Sequence, residues 1–518
     1  MKYKFLLLVS SVFLTVWFSW CDDWPQFQHD AQRTGRIVDT VFPPYRVRWI
    51  WLGPNNTIRN ILSNSSWSGL PNSGNIPPGT VISNVSGISL PNSVPFTFAS
   101  SMQPVIASSK VFVGDLDGKA YAINENDGTT LWISSIPGGT LTAAAVSEDK
   151  SIVIYCTITG TVYGFRVTDG THAWTPYQCR GAITGAPCVS GNNVYIADHK
   201  GYVYALNTTN GILIWNIKLP APVQGTIACD STSVYVCAEN MYVYALDIGN
   251  GQIRASSQRI RGQSFRFLWP VVFNNKLWIE SVPVPCVGSC YVMETVMADA
   301  PDQTTEETYI GRWLSGDSNG GRWTDASPDW KHFTVLNISD LSEPFQVQQG
   351  PFDGVGDPPD PPVIDNQGRV LTYFKTKFAT LARPLGFGSN YDMDISAINL
   401  TNGKRILINN GHRADNAWYT WETDNLYGMS VGGNLLFLHQ DFRGTVCIDL
   451  TNSNARSVYM MGWDTPNSDI QFVIGSEGAH FASTTMTTAG YERTPVVISG
   501  NRIYIRDSSA LICGEHHQ

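Results

Sequence analysis

One segment, Ala205-Leu-Asn207-Thr-Thr-Asn-Gly211-Ile-Leu-Ile-Trp215, returns in altered form along the chain. Its counterparts are Ala122-Ile-Asn124-Glu-Asn-Asp-Gly128-Thr-Thr-Leu-Trp132, Gly164-Phe-Arg-Val-Thr-Asp-Gly170-Thr-His-Ala-Trp174, Ala245-Leu-Asp247-Ile-Gly-Asn-Gly251 and Ala397-Ile-Asn399-Leu-Thr-Asn-Gly403. The glycines of the first four copies, in chain order, are 42, 41 and 40 residues apart. This regular spacing indicates that one supersecondary unit is repeated along the chain.

Each repeat contains four short apolar segments separated by turn residues. In the third repeat these segments are 187–190, 194–197, 202–206 and 212–215. The Asn or Asp that follows the third segment can bond the backbone of the next turn, and Gly supplies a positive φ there. A period near 40 residues, without the 3.6-residue apolar spacing of helices, is typical of four-stranded propeller blades. We expect blade-to-blade packing at Trp132, Trp174, Trp215, Gly128, Gly170, Gly211, Gly251 and Gly403.

Counting the repeats predicts eight blades. Four are complete, over 104–135, 143–176, 186–219 and 226–257, and the others begin near residues 270, 362, 426 and 495. The eighth ends with the chain before a fourth strand. Arg46-Val-Arg-Trp49-Ile-Trp51 is predicted to supply that strand, which closes the ring and leaves no long open sheet edge. The fold class is therefore all-β, an eight-bladed propeller of antiparallel four-stranded blades.

The composition excludes several classes of protein. Only 15% of the 518 residues are charged while 12% are aromatic, which argues against a disordered chain or a coiled coil. With 34 basic and 43 acidic residues the net charge is −9, so no nucleic-acid partner is expected. We predict a lead-in segment over 22–45 and one propeller domain over 46–518, with insertions at 53–101 and 281–331.

The first 21 residues predict export. Lys2 and Lys4 precede an apolar run from Phe5 to Trp20, as in a secretory signal peptide. Cleavage after Cys21 is one interpretation, and lipidation of Cys21 after a cut before it is the other. No second apolar run of about 18 residues follows, so no membrane span is expected in the mature chain. The predicted location is secreted, periplasmic or envelope-associated.

The repeats, A-x-D-x-x-x-G-x-x-x-W in outline, resemble the pyrroloquinoline quinone (PQQ)-like propeller family. The opening Asp23-Trp-Pro-Gln-Phe-Gln-His-Asp30-Ala-Gln-Arg-Thr-Gly35 is similar to that family as well. The resemblance implies an eight-bladed ring in a protein that leaves the cytoplasm. It does not decide the function, because this scaffold carries both enzymes and binding proteins.

Two function classes compete, with a third behind them. The first is a non-catalytic binding or scaffold protein with a protein or cell-surface partner. The second, implied by the family, is a PQQ- and Ca²⁺-dependent dehydrogenase of alcohols or sugars. The vicinal disulfide typical of that family is missing, since the sequence has no Cys-Cys dipeptide. Asp115, Asp117 and Asp198 are interpreted as turn-capping residues rather than ligands. The third is a hydrolase or lyase acting on an extracellular polymer.

The two predicted insertions hold the candidate interaction residues. Residues 53–101 contain a single charged residue, Arg59, and residues 281–331 interrupt the fifth repeat. Insertions of this length are usually functional or disordered. The sequence nominates Trp313, Trp323 and Trp330 for partner contacts, Cys286 and Cys290 for a disulfide, and Asn55, Asn64 and Asn84 for N-glycosylation. It predicts no catalytic residue, no metal ligand and no bound cofactor.

Overall fold

The computed structural model describes residues 23–42, 45–54, 57–59, 98–99, 101–262, 264–281, 333–347, 360–376, 392–409, 426–440, 444–451, 459–461, 494–507 and 510–516. These residues form eight antiparallel sheets that stand as blades in a ring, a β-propeller, and none of them is helical. The predicted all-β, eight-bladed fold is confirmed.

Three strands precede the first blade: β1 (Arg36–Ile37), β2 (Tyr45–Trp51) and β3 (Thr57–Arg59). Blade one contains β4 (Val105–Ala107), β5 (Lys110–Gly114), β6 (Lys119–Asn124) and β7 (Thr130–Ser135). Blade two contains β8 (Ala145–Val146), β9 (Ile152–Cys156), β10 (Thr161–Arg166) and β11 (Tyr177–Gln178). Blade three contains β12 (Cys188–Ser190), β13 (Asn193–Ala197), β14 (Tyr202–Asn207) and β15 (Leu213–Lys218). Blade four contains β16 (Ala228–Cys229), β17 (Ser233–Ala238), β18 (Tyr242–Asp247) and β19 (Ile253–Ser256).

Blade five has three strands among the described residues: β20 (Val271–Phe273), β21 (Lys276–Glu280) and β22 (Phe333–Asn337). Blade six contains β23 (Val363–Ile364), β24 (Val370–Thr376), β25 (Asp392–Ile398) and β26 (Arg405–Asn409). Blade seven contains β27 (Leu426–Gly432), β28 (Leu435–Gln440), β29 (Gly444–Asp449) and β30 (Tyr459–Met461). Blade eight contains β31 (Val497–Ser499), β32 (Arg502–Asp507) and β33 (Ala510–His516), followed in space by β2 and β3.

The N-terminal strand closes the ring. β2 pairs antiparallel with β33, with Trp49 opposite Cys513 and Trp51 opposite Leu511. β3 then adds a fifth strand on the outer side of β2 and lies inside the predicted 53–101 insertion. Strands from the two ends of the sequence, β2 and β33, therefore lie side by side in blade eight, as the sequence predicted.

The glycine of the repeat occupies a tight turn that the preceding Asn organises. In blade three the Asn207 carbonyl accepts the Gly211 N–H at 2.8 Å, and the Asn207 side chain accepts the Thr209 N–H at 3.0 Å. Gly211 has a φ of +68°, a left-handed conformation that costs little only for a residue without Cβ. The turn ends β14 and redirects the chain into β15.

The same glycine receives the tryptophan of the preceding blade. A Cβ at Gly211 would lie 2.5 Å from Cδ2 of Trp174, so the indole ring rests directly on this backbone. Trp174 Nε1 donates to the Thr208 carbonyl at 3.1 Å, and the side chain is only 7% exposed. Trp132 makes the equivalent contact with Gly170, and Trp215 with Gly251. One contact therefore fixes each of these blades to the next.

Ring closure uses this contact again, at a tryptophan that the sequence analysis did not assign. Trp49 of β2 rests on Gly128 of blade one, where a Cβ would lie 2.8 Å from Cδ2 of the indole. Its Nε1 donates to the Glu125 carbonyl at 3.1 Å. The interface between blades eight and one is thus built like the three interfaces that follow it.

At the interface between blades four and five, a small residue takes the place of the tryptophan and a large residue takes the place of the glycine. Ala255 pairs with Ala245 in the register at which Trp215 pairs with Ala205. On blade five the turn position is occupied by Leu341, whose N–H still reaches the Asn337 carbonyl at 2.9 Å and whose φ is +56°. Leu341 and Ala255 belong to one hydrophobic cluster. This interface therefore combines an alanine with a leucine, where the preceding interfaces combine a tryptophan with a glycine.

We predict that Trp174→Ala lowers the free energy of unfolding by roughly 3–5 kcal/mol, because it leaves a cavity between blades two and three. The matched control is Ile214→Ala on β15, whose side chain is 44% exposed and should cost at most about 0.5 kcal/mol. Chemical denaturation monitored by tryptophan fluorescence measures both. A wild-type midpoint for Trp174→Ala would show that the indole does not hold the two blades together.

A double-mutant cycle tests the exchanged interface. Ala255→Trp should cost about 1–3 kcal/mol by overpacking against Leu341. Leu341→Gly should cost about 2 kcal/mol by leaving Ala255 without its partner. The double variant recreates the Trp–Gly pair and should be more stable than the sum of the single effects by at least about 1 kcal/mol. Additive losses would contradict the idea that the two positions compensate each other.

Candidate functional site

The centre of the ring is filled by residues 23–37, which we call the plug. Its backbone carbonyls accept N–H groups from the innermost strands of six blades in turn. The donors and acceptors are Ile106 to Trp24, Val146 to Pro25, Cys229 to Ala31, Val272 to Gln32, Ile364 to Thr34 and Val431 to Gly35, at 2.8–2.9 Å. The plug thus makes one circuit of the channel in the order of the blades, and β1 at its end pairs in parallel with β27.

Side chains connect the plug to the two remaining blades. Gln26 bonds both backbone groups of Val189 in blade three, accepting its N–H at 3.0 Å and donating to its carbonyl at 3.2 Å. Gln103 accepts the Gln28 N–H at 2.8 Å and donates to the Pro495 carbonyl of blade eight at 3.3 Å. Inner strands have an unpaired edge whose buried polar groups need partners. The plug provides these partners around the whole ring.

A buried arginine anchors the plug. Arg33 is fully buried, and its guanidinium donates to the carbonyls of Ile227 at 3.0 Å, Phe27 at 2.7 Å and Pro187 at 2.9 Å. It therefore joins the plug to blades three and four. Hydrogen bonds from a charged donor are stronger than neutral ones, which offsets part of the cost of removing the guanidinium from water.

Carboxylates line the upper face, the face at which each first strand begins and each second strand ends. Asp115 follows β5 and accepts the Lys119 N–H at 2.8 Å and the Tyr121 hydroxyl at 2.7 Å. Burial and this hydrogen bond raise the pKa of Tyr121 far above its ordinary value, so its hydroxyl remains a donor. The Asp115 oxygens serve their own blade, in accord with the interpretation of this residue as a turn cap.

Asp198 repeats this arrangement in blade three. Its Oδ1 accepts the N–H groups of Lys200 and Tyr202, both at 2.9 Å. Its Oδ2 accepts the Gly181 N–H and the Tyr204 hydroxyl, both at 2.8 Å. With four protein donors around it, this carboxylate is a structural group and does not fit the role of a calcium ligand.

Two further carboxyl groups lie in the region of blades five to seven and were not identified from the sequence. Glu280 ends β21 and Asp360 precedes β23, and each is only 1% exposed. Asp360 accepts the Gly428 N–H of blade seven at 2.6 Å. Burial, with a further contribution from Glu280, raises the pKa of Asp360 to about 7. This carboxyl group can therefore exchange a proton near neutral pH, which is common at functional sites.

The described residues contain neither a metal-binding cluster nor a membrane-spanning helix. No three or more His, Cys, Asp or Glu side chains converge there as a metal site requires. This part of the chain also contains no helix with the length and apolarity needed to cross a membrane.

Most of the nominated interaction residues fall outside the described ranges. These are Trp313, Trp323 and Trp330, the cysteine pair Cys286 and Cys290, the lipidation candidate Cys21, and the glycosylation candidates Asn55, Asn64 and Asn84. The blade-docking residues are described, and the last of them, Gly403, contacts Phe345 of blade five. Phe345 and Trp49 lack the full repeat pattern around them, which is why the pattern alone did not identify them.

The chain is similar to known proteins over part of its length. A family model described as outer membrane protein assembly factor BamB matches residues 75–263. BamB of Escherichia coli (strain K12) is 29% identical over 122 residues, 24% of this chain and 23% of that protein. The tetrathionate hydrolase of Acidithiobacillus ferrooxidans is 27% identical over 128 residues, 22% of this chain and 25% of that protein. The chain thus spans about a quarter of the length of these curated relatives.

A solved structure shares the architecture over most of the chain. The quinohemoprotein alcohol dehydrogenase from Comamonas testosteroni superimposes with a TM-score of 0.52 at 10% sequence identity, covering 95% of this chain and 80% of that one. At this identity the likeness concerns the fold alone. Residues 75–263 match the family model, which confirms the resemblance of the repeats in this part of the chain to the PQQ-like family, and the fold is a β-propeller.

Proposed function

We propose that the protein is an exported, non-catalytic propeller that binds a protein or cell-surface partner through the loops between its strands. The observation that carries this proposal is the plug. Its carbonyls bond the inner strands of six blades, and Arg33 fills the space between blades three and four with a buried charge. The centre of the ring thus serves the stability of the scaffold, which leaves recognition to the loops around it.

The packing between blades supports the same function. Indole contacts at Gly128, Gly170, Gly211 and Gly251 hold successive blades in fixed positions. Loops carried by a rigid scaffold are ordered relative to one another, and binding residues in proteins are concentrated in such loops. A propeller also leaves only short sheet edges, which limits pairing with an unintended partner.

The relatives suggest where the partner is found. A matching family model and one relative carry the name outer membrane protein assembly factor. For this chain we infer a periplasmic or envelope location and a protein partner in that compartment. The tryptophan-containing insertion 281–331 is the proposed contact region, since exposed aromatic side chains dominate many protein interfaces.

Deletion of residues 281–331 should abolish partner capture while leaving the melting temperature nearly unchanged. The measurement is a pull-down from an envelope extract of the source cell with the tagged full chain, the deletion variant and the triple variant Trp313→Ala, Trp323→Ala, Trp330→Ala. The triple variant should lose capture by at least about tenfold if the indoles are the contacts. Undiminished capture by both variants would exclude this insertion as the binding region, and a collapsed fold would show that it is structural.

A PQQ- and Ca²⁺-dependent dehydrogenase is the second candidate, and one observation favours it. Asp360, buried beside Glu280 with a pKa of about 7, is suited to accept a proton from a substrate at neutral pH. The carboxylates of blades one and three do not favour it, because they are committed to donors of their own blades.

Adding PQQ and Ca²⁺ to the purified protein separates the two candidates. The scaffold proposal predicts no change in quinone absorbance at micromolar cofactor and no dye reduction with alcohols or aldoses. Stoichiometric binding with turnover would contradict it. In that case Asp360→Asn should lower the rate by at least about a hundredfold, while Asp115→Asn, in the structural carboxylate of blade one, should act through stability alone.

A further inference from the structure

Two cysteines lie side by side on the inner strands of blades three and four. Cys188 begins β12 and Cys229 ends β16, and both are fully buried. The Ala31 carbonyl of the plug accepts the Cys229 N–H at 2.8 Å and lies 3.6 Å from the Cys188 Sγ. Strands β12 and β16 are neighbours in the ring, and both cysteines contact this same carbonyl. The innermost strands of two successive blades therefore meet at a pair of free thiols.

We propose that Cys188 and Cys229 form a disulfide in the mature protein, which links the inner strands of blades three and four under the plug. This inference goes beyond the proposed binding function. It uses the predicted export only as the source of an oxidising environment, in which structural disulfides form and persist.

In the folded ring the two thiols differ in pKa. Burial opposes ionisation of Cys188, but the hydrogen bond from Cys229 and the nearby Arg33 guanidinium outweigh it and lower the pKa of the Cys188 thiol. Burial raises the pKa of the Cys229 thiol. Before the plug brings Arg33 into place, either thiolate can attack an oxidant, and the reaction below is the same with the two cysteines exchanged.

The reaction is a two-electron oxidation with a disulfide as oxidant. The Cys188 thiolate attacks one sulfur of the oxidant, forms a mixed disulfide and releases a thiol. Cys229, deprotonated, then attacks the Cys188 sulfur, closing the intramolecular disulfide and releasing the second thiol. The protein loses two hydrogen atoms, and the oxidant, a disulfide-bearing oxidoreductase in the cell or oxidised glutathione in vitro, gains them.

The plug determines when this step takes place. Both cysteines are fully buried, and the Ala31 carbonyl of the plug lies 3.6 Å from the Cys188 Sγ, so an oxidant reaches them only before the plug is seated in the channel. Once closed, the disulfide bridges a loop that contains all of blade three and reduces the freedom of the unfolded chain. It is then shielded from reductants for as long as the ring stays folded.

The test is peptide mapping of the full chain. The protein is refolded in a glutathione redox buffer, free thiols are blocked with N-ethylmaleimide in denaturant, and non-reduced peptides are analysed by mass spectrometry. The expected result is one cross-linked species that joins the Cys188 and Cys229 peptides, lighter by two hydrogen atoms than their sum and absent after reduction. Full N-ethylmaleimide labelling of both cysteines in the refolded protein overturns the proposal.

Melting curves give an independent readout. In a Cys286→Ser, Cys290→Ser background, dithiothreitol present during refolding should lower the melting temperature by a few degrees. Cys188→Ala or Cys229→Ala should remove this sensitivity. The matched control is Cys237→Ala, a buried thiol of blade four, which should retain it. Equal sensitivity in all variants overturns the proposal. The outcome is independent of partner capture, so it can fail while the binding function holds.

Discussion

The contact between an indole ring and a left-handed glycine turn of the following blade is the interaction on which the ring depends. It requires a turn backbone without Cβ, an acceptor carbonyl beside it, and a tryptophan on the fourth strand of the previous blade. Trp215 on Gly251 meets all three conditions, and Trp49 on Gly128 applies the same contact to the closing interface. The contact is therefore present at four successive interfaces, from that of blades eight and one to that of blades three and four.

The centre of the ring has a second requirement, which is hydrogen-bond partners for the inner strands. Eight inner strands converge there with one edge unpaired, and their buried N–H groups need acceptors. The plug meets this need with its own backbone, one blade after another, and Arg33 connects it to neighbouring blades. The ring and the plug therefore stabilise each other, because the hydrogen bonds between them pair the inner strands and the plug backbone at the same time.

These two features also direct the functional interpretation. Asp115 and Asp198 have the residue type and position of ligands on the upper face, yet their oxygens are occupied by tyrosine hydroxyls and backbone N–H groups. Asp360 differs, since it is buried near Glu280 and retains a proton to about pH 7. The occupied centre of the ring supports the proposed scaffold role, and Asp360 is the described carboxyl group suited to proton transfer.

The sequence by itself determined the fold class, the blade count and the closing strand. Those properties follow from a local pattern. Asn207, Gly211 and Trp215 have fixed spacings, and short-range interactions are enough to form the turns and strands that these spacings define. Only the tertiary structure decided which residues meet across long separations. It placed Leu341 and Ala255 in one cluster, laid the plug along the inner strands, and put Cys188 and Cys229 at the same plug carbonyl. The physical reason is that the repeat specifies contacts between copies of one unit, whereas the plug lies outside the repeat and its contacts have no period that the sequence shows.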